Sequence, residues 1–236
     1  MSSPLMAVGM AECKLLLRNR MVAFSATVLP LAMGVYLGFV RPPDGSWGMF
    51  LALQLMVVLG FTVYFTTSTA LTSRREDLYL KRLCSAEPGR LVVLSGLLVP
   101  VVLLGVVQSA VMLGIAAAFG APVGGVGLLL VAVAVIGGLV LCLAAGIATS
   151  GRTSTPEQAQ ITTLPFFIVL FGGAVWGSLS SAWHPLLIPG GAVGDLVERA
   201  LSGELGGAGP ALVALVAWVV VAGFAARQWF RWEPRG

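Results

Sequence analysis

The chain has 236 residues, of which 58% are apolar and only 10% charged, with a net charge of +4; a typical globular domain is about 25% charged. A soluble fold of this length cannot bury so much apolar surface, so lipid must be the solvent for much of the chain, and a water-soluble enzyme or binding domain is excluded. The positive charges lie in short clusters between apolar runs, as orientation signals do, which argues against a nucleic-acid partner.

Residues 1–20 carry Glu12, Lys14, Arg18 and Arg20 and have no signal-peptide core. Met6, Met10, Cys13 and Leu17 recur at helical spacing, which predicts an amphipathic helix along the membrane surface; a solvated leader is the alternative. The first span, 21–40, is uncharged and long enough to cross the hydrocarbon layer. It contains Pro30 and a Gly34/Gly38 pair suited to close helix contact. After the turn 41–48 comes the second span, 49–71, which ends in a run of hydroxyl residues able to bond back to helix carbonyls. A charged stretch, 72–90, follows. The third span, 91–119, contains Pro100; the fourth is 126–148. A polar loop, 150–160, leads to the fifth span, 161–180, with Pro165 near its start.

Residues 181–209 form an external re-entrant or amphipathic segment. Val193, Leu196, Val197, Ala200 and Leu201 follow a helical apolar pattern, while Asp195, Glu198 and Arg199 lie elsewhere on the wheel. This predicts a short amphipathic helix at the membrane interface. The sixth span, 210–229, encloses Trp218 and ends at Trp229, where aromatic belts form. The expected fold is therefore an all-α polytopic membrane protein of six transmembrane helices in one transmembrane domain, 1–236. Six spans place both termini on one side. That side carries twelve of the fourteen Lys and Arg residues, which makes it cytoplasmic; only Arg41 and Arg199 face outward.

No ionisable residue falls within the middle of a span, which argues against a proton relay. His184 reads as a turn histidine before Pro185, and Ser178 lacks a hydrolase motif. Cys13, Cys84 and Cys142 have no metal-ligand spacing, and no phosphate-binding loop is present, so neither a metal nor ATP is expected on this chain. Gln54 and Gln108 stand out within the spans. They serve either a substrate pathway or hydrogen bonding between helices, which contributes about 1 kcal/mol or less per bond.

The charged stretch has its own logic. Ser73 and Glu76 match a capping box, Asp77 and Lys81 pair at i, i+4, and Pro88 with Gly89 stops a helix. A cytoplasmic helix over 73–86 is predicted, either an ordinary positive-inside loop or a docking element. The segment TSRREDLYLKRLCSAEPGRLVVLSGLL resembles the link between the second and third spans in membrane subunits of type-2 ABC exporters. Arg75-Glu76, Leu80-Lys81-Arg82-Leu83, Pro88 and Gly96 carry the resemblance, together with the topology and the Pro185/Pro189 turn. Leu97 stands where a lysine is commoner in that family.

The resemblance implies the permease half of a bacterial exporter of the daunorubicin-resistance kind, in the inner membrane, as a homodimer with a separate ATP-binding cassette ATPase that holds ATP and Mg. On that reading 73–86 is the coupling helix, with Arg74, Arg75, Glu76, Asp77, Leu80, Lys81, Arg82 and Leu83 at the ATPase. Lys14 and Arg18 of the N-terminal helix make a second contact. Spans two and five line the pathway, which puts Phe61 and Phe167 there beside Gln54 and Gln108. The cargo is a drug, a natural product or a lipid. A non-transporting membrane scaffold that tethers a cytoplasmic partner is the reading from another class.

Overall fold

Long apolar runs without charge favour helix in lipid, because only internal hydrogen bonding satisfies the backbone there. A computed structural model describes residues 28, 30–36, 39–40, 47–76 and 90–230. No strand occurs among the described residues, and five helices are long and apolar enough to cross a membrane. They are α1 (Trp47–Glu76), α2 (Arg90–Ala118), α3 (Gly125–Arg152), the pair α4 (Pro156–Thr162) and α5 (Leu164–Leu179), and, after α6 (Gly191–Ser202), α7 (Ala208–Trp229). Of the first span, residues 30–36 and 39–40 are helical. Gly34 there lies against the Met112 thioether, and its carbonyl accepts a 2.8 Å hydrogen bond from Gln54 Nε2.

The centre of the fold is α1. Its apolar window is 72% buried, against 22–33% for the other four spanning helices, which turn apolar faces outward to lipid. Midway, over Val58–Phe65, α1 widens into a π-helix. Such turns hold an extra residue and recur at functional sites. Gly60 opens room there for the Phe167 ring, which a Cβ would meet at 2.8 Å. The hydroxyl of Thr66 donates to the Phe61 carbonyl five residues back, 3.1 Å, and those of Thr69 and Thr72 donate four back at 2.9 and 2.8 Å. The first two are the back-bonds predicted for the hydroxyl run; that of Thr72 lies beyond it.

Two boundaries differ from the sequence reading. α1 stays helical through Glu76, so Ser73 sits inside its last turn instead of capping a new helix. No glycine or proline lies between Thr66 and Glu76 to stop it. Residues 77–89, with Asp77, Leu80, Lys81, Arg82 and Leu83, lie outside the described residues, as do Lys14 and Arg18. The expected polar loop at 150–160 is also largely helical: α3 runs to Arg152, and Thr155 caps α4 by accepting from the Gln158 amide at 3.3 Å, with Pro156 in the first turn.

The helix expected in the re-entrant or amphipathic segment 181–209 does not lie on the outside of the bundle. α6 packs on α5, α3 and α1. Gly127 of α3 meets the Ala200 carbonyl carbon at 3.2 Å, counted from an added Cβ, and Gly138 meets Val193 at 3.6 Å. Eleven residues of α3 separate those glycines, about 16 Å at 1.5 Å per residue, or roughly half a hydrocarbon thickness of about 30 Å. The predicted apolar face is buried at Val193, Leu196, Val197 and Ala200, but so is Asp195. Close backbone contact makes the insertion fit: Gly177 and Gly194 bring the α5 and α6 backbones together, and Gly173 faces the entry turn at Pro189 and Ile188. The entry turn needs Gly190 at φ +93°, and α6 ends at Gly203, φ +80°, whose amide donates to the Arg199 carbonyl at 3.0 Å.

Candidate coupling end and transmembrane core

Arg75 is 2% exposed. Its guanidinium donates to the carbonyl of Thr153, the residue that ends α3. A cation is favoured at that position by the helix dipole and by the unpaired last carbonyls. The Thr153 hydroxyl donates to the Thr149 carbonyl at 2.9 Å and lies 2.8 Å from the Thr162 hydroxyl of α4. Tyr64, in the π-turn of α1, places its hydroxyl 3.1 Å from Thr149 Oγ1 and donates to the Thr163 carbonyl at 3.3 Å. Thr163 is the joint between α4 and α5, and the Phe167 amide donates back to it at 3.1 Å. One continuous set of hydrogen bonds thus connects the last turn of α1 with the elbow of α3 and α4 and with the start of α5.

Other cations gather at the same end. Arg152 holds its guanidinium carbon 3.7 Å from the ring centre of Trp229 at the close of α7. Leu71, Val93 and Leu97 form a small apolar cluster with Ile147 and Phe230, which brings the start of α2 there too. Arg199 lies at the opposite end, where Glu198 of α6 abuts Gly48 at the start of α1. Its guanidinium donates to Asp195 at 2.7 Å, and this bond raises its pKa further. Burial, then the neighbouring charges of Asp195 and Glu204, pushes the Glu198 carboxyl above the usual carboxylate range.

The pathway residues separate into two groups. Phe61 and Phe167 meet edge to face with ring centres 4.6 Å apart, and Phe167 stacks on Phe171 at 4.6 Å. Gln108 accepts from the Thr62 hydroxyl at 2.5 Å across α1 and α2. Gln54 ties α1 to the first span, and its Oε1 has no hydrogen-bond partner among the described residues. Both glutamines are buried, so in this conformation they join helices. Ser178 donates to the Val175 carbonyl at 2.9 Å, and His184 stacks on Trp183 at 4.4 Å.

Glu76 is exposed and Arg74 half-buried on the same last turn where Arg75 is buried. The sequence carried no signal that Arg75 would face inward, because its acceptor lies 78 residues away. The Tyr64 link and the π-turn were likewise not foreseen, since both depend on the register between α1 and its neighbours.

A family model described as an ABC-2 family transporter protein matches residues 25–227. No curated protein and no solved structure matches the chain.

Proposed function

Because the chain belongs to the ABC-2 family of transporter proteins, we propose that it is the permease of a bacterial exporter, powered by a separate ATPase that binds ATP and Mg. The family match across most of the chain carries this reading. The gathering of Arg75, Arg152 and the Arg227-bearing end of α7 at one end supports a cytoplasmic assignment for that end, by the positive-inside rule. With the first span added to the five described helices, both termini lie in the cytoplasm of the inner membrane.

On this reading the charged stretch after Glu76 seats in the ATPase, and Lys14 and Arg18 add a second contact. Two permeases flank a central pathway, with Phe61 and Phe167 on its wall. Aromatic, uncharged walls suit an amphipathic drug, natural product or lipid. Movement at the charged stretch enters the permease through α1, whose last turn is bonded by Arg75 to the α3–α4 elbow. From there the Thr162 and Thr163 links lead to α5 and Phe167.

The test is to coexpress the chain with a candidate ATP-binding cassette ATPase and measure, in inverted vesicles, ATP hydrolysis and ATP-dependent accumulation of an amphipathic fluorescent dye. Both should require the permease, and Glu76→Ala with Leu83→Ala should abolish the permease-dependent hydrolysis. A copurifying ATPase whose hydrolysis ignores that double substitution would refute the coupling role. Copurification without accumulation of dye or any lipid would favour a tethering scaffold.

A further inference from the structure

Among the described residues, α1 alone carries a π segment, and it separates the outer half of that helix from the half that ends at Arg75 and Glu76. Directly after it the Thr66 amide donates to the Val63 carbonyl, three residues back, so a widened turn is followed at once by a tightened one. The extra residue is thereby confined to Val58–Phe65. Glycines of the neighbouring helices lie against it. An added Cβ would stand 2.7 Å from Val63 at Gly105 of α2, and 2.6 Å from Leu59 at Gly138 and 2.9 Å from the Tyr64 carbonyl at Gly146, both of α3. Helix surfaces without side chains put few obstacles in the way of a neighbour that turns against them.

An extra residue held in a π segment is a stored shift. If the segment relaxes to α-helix while the outer half of α1 stays fixed, every residue from Thr66 onward advances by one place. That is about 100° around the axis and about 1.5 Å along it, and helix shifts of about 1–2 Å recur in switching proteins. Most sequences would carry the wrong side chains inward. The buried places in this half of α1 are those of Thr66, Thr67, Ser68, Leu71, Thr72 and Arg75. After the shift they fall to the residue before each. Thr66 and Thr67 enter the places of Thr67 and Ser68, so hydroxyl follows hydroxyl. Phe65, Ala70 and Leu71 bring only apolar groups, and Arg74 enters the place of Arg75. The Thr153 carbonyl exchanges one guanidinium for the next, and Arg75 moves to the exposed place of Glu76.

We propose that α1 is a two-register switch, with Arg75 and Arg74 as its alternative anchors on the Thr153 carbonyl. The present register is held by the bonds of the π segment itself: Thr62 to Gln108, and Tyr64 to Thr149 and Thr163. The switch stands on α1 and not on the transport reading. Under that reading, the charged stretch beyond Glu76 turns with it and presents another face to the ATPase.

Electron paramagnetic resonance distances in the purified full-length chain, reconstituted in lipid, test this. Spin labels are placed at Glu76→Cys and at Gln228→Cys near the end of α7, both exposed, in a chain carrying Cys13→Ser, Cys84→Ser and Cys142→Ala. A side chain about 5–6 Å from the helix axis swings by about 8 Å in a 100° turn. Arg75→Met leaves Arg74 as the cation that can reach Thr153. It should therefore make a second, discrete distance the major one, displaced by up to about 8 Å. Adding Arg74→Met, or deleting Phe65 so that no extra residue remains to be released, should restore the first distance. Labels at Met49→Cys and Leu187→Cys, beside the outer half of α1, should report one distance throughout. The proposal is overturned if Arg75→Met leaves the distance from 76 to 228 unchanged, or only broadens it as a frayed helix end would. It also fails if the second distance survives the added Arg74→Met, whether or not the deletion variant folds. An equal change between 49 and 187 would mean that the whole bundle moves and would overturn it too.

Discussion

Replacing Arg75 by methionine keeps the length of the side chain and removes its charge and its donors. In the structure that guanidinium is buried and bonded to the carbonyl that closes α3. Hydrogen bonds to charged groups contribute about 1.5–3 kcal/mol, and a cation at a helix C-terminus adds about 0.3–1 kcal/mol. A loss of about 2 kcal/mol is expected, equivalent to about 4–8 °C in the melting temperature of a protein of this length. Thermal unfolding of the isolated permease in detergent, followed by intrinsic fluorescence, measures it. Arg75→Lys should recover part of the loss, since lysine restores the charge but not the planar fork. The alternative, in which Arg75 projects into the ATPase, makes the opposite forecast: the isolated permease keeps its melting temperature and only copurification with the ATPase weakens. An Arg75→Met permease that melts with the wild type would refute the inward anchor.

Glu198 governs a pH effect. Its carboxyl is raised in the folded state, so the native protein holds this proton at pH values where the unfolded chain has lost it. Stability therefore falls as pH rises from the ordinary glutamate range through the raised value. Glu198→Gln should flatten that part of a melting-temperature profile, and an unchanged slope would contradict the assignment. Phe61→Ala and Phe167→Ala should be non-additive, with a coupling of about 0.5–1.5 kcal/mol in a double-mutant cycle read by thermal unfolding; strict additivity would mean the rings do not meet. Gly194→Leu forces a side chain into the Ala174 backbone. It should cost at least about 1–3 kcal/mol and expose the α6 region to protease in intact spheroplasts, whereas Ser202→Leu at the exposed end of α6 should do neither.

Much of the architecture follows from the linear sequence, because hydropathy sets which segments enter lipid and any segment that enters must be helical. Spans three, four and six were read to within a few residues of α2, α3 and α7. The periodic apolar face of α6 was also legible, as was the use of the hydroxyls of Thr66 and Thr69 to bond their own helix. The depth of α6 was not. Its polar face looked like an interfacial face, and only the Asp195–Arg199 pair, together with glycines of α3 that lie 53 to 67 residues before those of α6 along the chain, lets it sit among the spans. The end of α1 was misjudged for a similar reason. Ser73 and Glu76 fit a local capping rule, but a helix already running from Thr66 has no need to start again.

Arg75 marks the same boundary between what is local and what is not. Its charge, its place after the second span and its membership of a family-like segment are properties of the sequence. Whether it points toward a partner or back into its own fold depends on where the Thr153 carbonyl lies, and that is decided by how α1 and α3 pack side by side. The same holds for the π-turn, whose extra residue is accommodated by the Phe167 and Phe171 rings of α5 against Gly60. Burial pattern and orientation are one-dimensional because the bilayer is a layered solvent. Contacts between helices are not, because lipid gives no preference for one apolar neighbour over another and leaves small residues and single hydrogen bonds to choose.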